Sequence, residues 1–255
     1  MHTTMHTTSL LVLLALTLKA GPVLAETVNC TPITSLPAVI TVQGIYCFTG
    51  HLNTAITTGN AIDIQTNNVI LDLNGFKLGG LAAGPGTLAV GISALNRQNI
   101  TIKNGTIRGF LSGIFLGDAG ASQGHVVEDI RADQNTLEGI NVQGSGVIVR
   151  NNQVVATGGS TVFGANVNAF GIVVAGAGPR VLNNDVIDTV KQGAGIARGI
   201  VFGGNTTGGL AVNNRISVAD RGIEYLNSLG KFRDNVTFGV TTPFTGTGTD
   251  IGNDN

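Results

Sequence analysis

The chain has 255 residues, of which 11% are charged and 38 are glycine, and its net charge is −1. So little positive charge excludes a polybasic nucleic-acid binder, which must neutralise a run of phosphates. A hydrophobic content of 42% with so few charges is also the reverse of the composition that keeps a chain disordered.

Residues 1–25 read as a secretory signal. The apolar stretch Leu10 to Leu18 is about nine residues, too short to span a bilayer. Lys19 and Gly21-Pro22 end the stretch, and Val23-Leu24-Ala25 offers the small residues a signal peptidase accepts, which places the mature start at Glu26. Met-His-Thr-Thr occurs twice, so Met1 and Met5 both stand as candidate starts. The expectation is an exported protein (secreted, periplasmic or held at the cell surface) with no membrane span in its mature chain.

Cys30 and Cys47 are the only cysteines and both follow the signal. An exported protein can keep a disulfide, and two cysteines allow one pairing. Closing a loop of about 17 residues constrains the unfolded chain by roughly 3 kcal/mol. The other reading is two buried thiols, because cysteine packs as a small hydrophobe. The disulfide is favoured, as part of an irregular N-terminal cap over residues 26–60 that also holds Pro32 and Pro37.

From about residue 60 the sequence repeats. Gly followed by Ile opens a short alternating run at Gly91-Ile92, Gly113-Ile114, Gly139-Ile140, Gly171-Ile172, Gly199-Ile200 and Gly222-Ile223. An Asn-rich corner leads into a β-branched residue at Asn104-Gly105-Thr106-Ile107, Asn151-Asn152-Gln153-Val154, Asn183-Asn184-Asp185-Val186 and Asn213-Asn214-Arg215-Ile216. Weaker copies read Glu128-Asp129-Ile130 and Asp234-Asn235-Val236. The distance from the first unit to the second stays at 13–16 residues, whereas the return distance varies from 7 to 18. One part of each repeat is therefore nearly fixed and the other carries loops, with a period in the solenoid range.

Each repeat holds three short β-runs and no stretch of helical periodicity. Corners between such strands need left-handed backbone angles, which Gly adopts freely and Asn tolerates. Stacked Asn side chains can also hydrogen-bond as a ladder along the axis. The prediction is an all-β, single-domain, right-handed parallel β-helix of about seven coils over residues 61–240, with a C-terminal cap or tail over 241–255.

These repeats resemble the right-handed parallel β-helix (pectin and pectate lyase-like) superfamily, which includes pectate lyases, polygalacturonases and uncharacterised bacterial secreted proteins. The run Val69-Ile70-Leu71-Asp72-Leu73-Asn74-Gly75-Phe76, followed by Asn99 to Phe110, is similar to an entry pair of coils in that last group. The resemblance implies contact with glycans. Its lyases pair a proton-abstracting base with a Ca²⁺ site of carboxylates, and its hydrolases use paired aspartates. The hydrolases' paired aspartates and Gly-His-Gly are missing, and Gly124-His125-Val126 is the nearest fragment.

The densest charge falls on the second repeat unit. Aligning its copies places Arg108 and Arg131 at the same position on neighbouring coils, after inward Ile107 and Ile130, with Glu128, Asp129 and Asp133 beside them and Arg150 on the next coil. One reading is a site for an anionic sugar, with Arg108 or Arg131 holding a carboxylate and Asp129 or Asp133 a cation. The favoured reading is a solvated face of ion pairs worth about 0–1 kcal/mol each. Arg150, Lys191 and Arg198 are further glycan-contact candidates.

Along the uncharged segment Val155 to Phe170, Phe163, Asn166, Asn168 and Phe170 either touch a neutral glycan or, as favoured, the two phenylalanines pin the loop to the coil beneath. His51 and His125 are too isolated for a metal set. The residues imply no cofactor, and Ca²⁺ enters only with a lyase. The expectation is a monomeric, non-catalytic protein associating with a polysaccharide. The alternatives are a pectate lyase-like enzyme on an acidic glycan and a purely structural envelope protein.

Overall fold

A computed structural model describes residues 29–204 and 206–252. The segment read as a signal lies outside these described residues. Short runs of β-branched and aliphatic residues, interrupted by Gly and Asn, form strands of two to eleven residues that pair in parallel.

The strands stack on three sheets. The first carries Ala38–Ile40, Asn60–Ile64, Val90–Leu95, Ser112–Gly117, Glu138–Gln143, Ala169–Ala175 and Ala197–Phe202. It ends in the second halves of Arg215–Tyr225 and Val236–Gly246. The second sheet runs from Thr31–Ile33 to Thr249–Asp250, and the third from Leu52–Asn53 to the first halves of those last two long strands. Ile100–Arg108 and Val126–Asp133 each bend round the corner from the second sheet into the third. Every return to the first sheet is a parallel crossover, right-handed as such connections are. The chain is a right-handed parallel β-helix rising about 4.8 Å per rung.

Parallel pairing also reaches beyond the counted repeats. Thr31–Ile33 pairs with Gly44–Phe48 at one end, and Lys231 and Phe232 pair with Thr249 and Asp250 at the other. A Cys30–Cys47 disulfide ties the first of these rungs to the next.

Packing explains the repeat units. Ile92, Ile114, Ile140, Ile172, Ile200 and Ile223 stack in one buried interior column. The glycine before each serves close approach and not a left-handed angle. A Cβ on Gly139 would lie 2.4 Å from Val154 Cγ1 and 2.7 Å from the Gly171 carbonyl oxygen. At Gly171 the corresponding gaps, to Val186 Cγ1 and the Gly199 oxygen, are both 2.5 Å. Left-handed angles belong instead to the corner from second to third sheet, where Asn74, Asn104, Asp129, Asn151, Asn183, Asn213 and Asp234 have φ of 49–57°.

The next residue at that corner faces inward and builds a ladder. Asn152, Asn184, Asn214 and Asn235 are buried, and each Oδ1 accepts from the residue one rung below. Their Nδ2 groups bond the carbonyls of Val127, Val149, Val181 and Ala211. Beyond the ladder, the rings of Phe202, Tyr225, Phe232 and Phe244 stack along the axis at centroid distances of 4.3, 5.9 and 4.8 Å.

The weaker corner copies sit off their expected alignment, by two residues at Ile130 and by one at Val236. Asp129 is the left-handed corner, so Ile130 occupies the ladder column above Asn152 and it is Ala132 that pairs with Ile107. At the last copy Val236 pairs with Arg215 and is 48% exposed. In both copies a single acidic corner residue precedes the column, and aligning on the nearest aliphatic side chain skips the true corner.

Candidate functional site

That two-residue difference separates Arg108 from Arg131. Arg108 pairs in register with Asp133, and Arg131 with Thr106. Asp133 lies between them, its carboxylate 3.3 Å from Arg108 Nη2 and 3.8 Å from Arg131 Nη2. The two arginines also donate to Gln134 and Gln153 respectively. Asp129 forms the exposed corner, and Arg150 pairs with Glu128 at 2.5 Å on the second sheet. The third-sheet charges thus satisfy one another, and such surface pairs contribute about 0–1 kcal/mol each.

A different face gathers buried polar groups. On the first sheet the residues flanking each Gly-Ile point outward. The column before the glycine runs Ser112, Glu138, Phe170, Arg198, Arg221. The column after the isoleucine runs Asp63, Ser93, Phe115, Asn141, Val173, Val201, Glu224. Both columns could have been read from the sequence as the neighbours of the repeated Gly-Ile. The sequence reading named Phe170 and Arg198 among them and missed Asp63, Glu138, Arg221 and Glu224, because it weighed charge density instead of register.

Glu224, 2% exposed, is held by Arg198 at 2.5 Å and by Arg221. The Arg198 guanidinium also lies 5.2 Å from the centre of the Phe170 ring, a cation–π distance. Arg198 Nη1 is buried without a hydrogen-bond partner. Three rungs away, Glu138 accepts from Ser112 Oγ at 3.2 Å and from Asn141 Nδ2 at 3.2 Å on both oxygens. Burial raises the Glu138 pKa above the usual glutamate value, against these hydrogen bonds. Three rungs further lies Asp63. The face is thus acidic at one end and basic at the other, with carboxylates roughly 14 Å apart by rung spacing.

Loops between the third and first sheets bank this face. Thr161 N bonds Pro85 O at 3.1 Å, and Val167 and Gln192 exchange backbone bonds of 3.0 and 2.9 Å. Asn166 and Asn168 accept from the backbone N–H groups of Ala194 and Ile196 at 2.7 and 2.8 Å, so their side chains hold the neighbouring loop. Phe163 is 52% exposed and does not pin its loop, as the sequence reading expected, because backbone and asparagine bonds already fasten it. Lys191 pairs with Asp220 at 3.1 Å. His51 Nδ1 accepts from Lys77 N at 3.0 Å, and His125 is buried in the core. No cluster of three metal-ligating side chains occurs among the described residues.

No family model matches the chain, and no curated protein does. Among solved structures it resembles ORF18 of Geobacillus virus E2, at 12% identity and a TM-score of 0.55, covering 88% of this chain and 52% of that one. It also resembles the enzymatically active domain of bacteriophage CBA120 tailspike protein 2, at 14% identity and a TM-score of 0.56, covering 87% of this chain and 42% of that one. The chain spans about half the length of these structures. At such identities the likeness is one of fold.

Proposed function

We propose that the protein is an exported β-helix that holds a polysaccharide lengthwise along the outer face of the first sheet without cleaving it. The observation that carries this reading is the double column from Asp63 to Glu224, polar over most of its length, interrupted by Phe115, Phe170, Val173 and Val201, and banked by bonded loops. Such a face offers alternating donors, acceptors and ring surfaces to a repeating polymer. Its carboxylates, three rungs apart, are spaced beyond the roughly 5–9.5 Å that glycoside hydrolysis uses. Export is supported by the Cys30–Cys47 disulfide, because such bonds persist in oxidising compartments. No helix among the described residues is long and apolar enough to cross a membrane.

The test uses residues 26–255 exported so that the disulfide forms. It combines affinity electrophoresis through acidic and neutral polysaccharides, with and without Ca²⁺, and an assay for new reducing ends. Retention without new ends is expected. Arg221→Ala lowers that retention about tenfold, since Arg198 keeps Glu224 paired in the variant, while Arg131→Ala leaves it unchanged. Release of reducing ends, or retention that depends on Arg131 and not on Arg221, overturns the reading.

A further inference from the structure

At the acidic end of the first sheet the face deepens into an open cavity of about 490 Å³, a size that takes one or two sugar rings. Asp63, Ser93 and Phe115 occupy three successive rungs of one column across it. Asn60 and Gln65 border it from the Asp63 rung, and Arg97 and Leu95 from the next.

The side chains are poised for a polyhydroxylated ligand. Asn60 Nδ2 donates to Asp63 Oδ1 at 3.3 Å and Gln65 Nε2 to Asp63 Oδ2 at 2.7 Å, which fixes the carboxylate while leaving each oxygen a free lone pair. Arg97 makes no ion pair among the described residues, and its buried Nε has no hydrogen-bond partner. The cavity therefore offers a charged acceptor and a charged donor, and hydrogen bonds to such groups are about twice as strong as neutral ones. Between them lie the Ser93 hydroxyl and the half-buried Phe115 ring. An aromatic ring beside hydroxyl-directed polar groups matches the amphipathic surface of a pyranose, with its C–H face on the ring and its hydroxyls at the edge.

We propose that this cavity is a subsite for one neutral hexopyranose unit of the chain lying in the groove. The inference deepens the polysaccharide reading and rests on it. Neutrality follows from the presence of one carboxylate and one guanidinium, since a charged sugar would face one of the two with like charge.

Saturation-transfer NMR with the methyl glycosides of glucose, galactose and mannose, and of galacturonic acid for comparison, tests the assignment. At least one neutral glycoside receives saturation more strongly than the uronoside. Phe115→Ala abolishes the signal and Asp63→Asn weakens binding about tenfold, while Arg131→Ala, on the third sheet and outside the groove, leaves it unchanged. Both cavity substitutions lie on the outer face, and circular dichroism and melting confirm that each variant stays folded. Absence of saturation on every neutral glycoside overturns the subsite, as does an equal signal in Phe115→Ala and Asp63→Asn. If polysaccharide retention persists in that case, the subsite alone falls. If retention is also absent, the groove reading falls with it.

Discussion

Asn184→Ala lowers the stability of the rod by about 4 kcal/mol, because buried polar groups left unpaired cost roughly 1–3 kcal/mol each. Asn184 Oδ1 accepts from both the backbone N and the Nδ2 of Asn152 at 3.0 Å, and its own Nδ2 donates to Val149 O and Asn214 Oδ1 at 3.0 Å. Truncation orphans the Asn152 N–H in a dry interior, takes one acceptor from Asn152 Nδ2, removes the donation to Val149 O and opens a small void. The adjacent Asn183 provides the contrast. It is the exposed, left-handed corner with φ of 56°, so Asn183→Gly, which keeps that angle accessible, changes stability by only a few tenths of a kcal/mol. Denaturant midpoints of the two variants measure the difference. A loss below about 1 kcal/mol for Asn184→Ala would show that the ladder adds little to the fold.

Acid selectively weakens the rod through His125. Registers place this residue in the interior column between Ile100 and Val147, fully buried. Its Nδ1 accepts from Ile100 N at 3.2 Å, while Nε2 has no partner. Burial lowers its pKa from 6.5 to about 4, only partly offset by the charge of Asp118. The unfolded chain therefore binds a proton between those values that the folded chain refuses. The stabilisation is complete above pH 6.5 and is lost as pH falls towards 4, by about 3 kcal/mol in all. His125→Val, matching its column neighbour, removes this loss and adds a pH-independent cost for the Ile100 N–H left without its acceptor. Subtracting the two stability profiles isolates the histidine from the carboxylates. The difference is flat above pH 7 and moves in favour of the variant by about 3 kcal/mol as pH approaches 4. Parallel profiles would contradict the buried, neutral imidazole.

Much of this architecture was legible in the sequence, for a physical reason. A β-helix repeats the same packing problem on every rung, so the interior Gly-Ile and Asn-Asn positions recur visibly. Where one rung solved the problem differently, as Asp129-Ile130 does with isoleucine in the ladder column, the alignment slipped and falsely brought Arg108 and Arg131 together. The outer face was harder to read because side chains there are not constrained to repeat. Ser112, Glu138, Phe170 and Arg198 share one column yet are a hydroxyl, an acid, an aromatic ring and a base. Their position relative to Gly-Ile was the usable signal. What remained beyond the sequence was burial, since only the folded loops reveal that Glu224 and Arg198 are enclosed while Arg131 stays in solvent.

Amide hydrogen exchange, recorded with and without a retained polysaccharide, tests the groove most directly. Exchange slows along the banking loops at residues 159–168 and 191–196 and along the strands Glu138–Gln143 and Ala197–Phe202 beneath them, while the third-sheet corner around residues 129–134 is unchanged. Slowing confined to residues 104–108 and 129–134 would place the polymer on the arginine face of the third sheet and contradict the account.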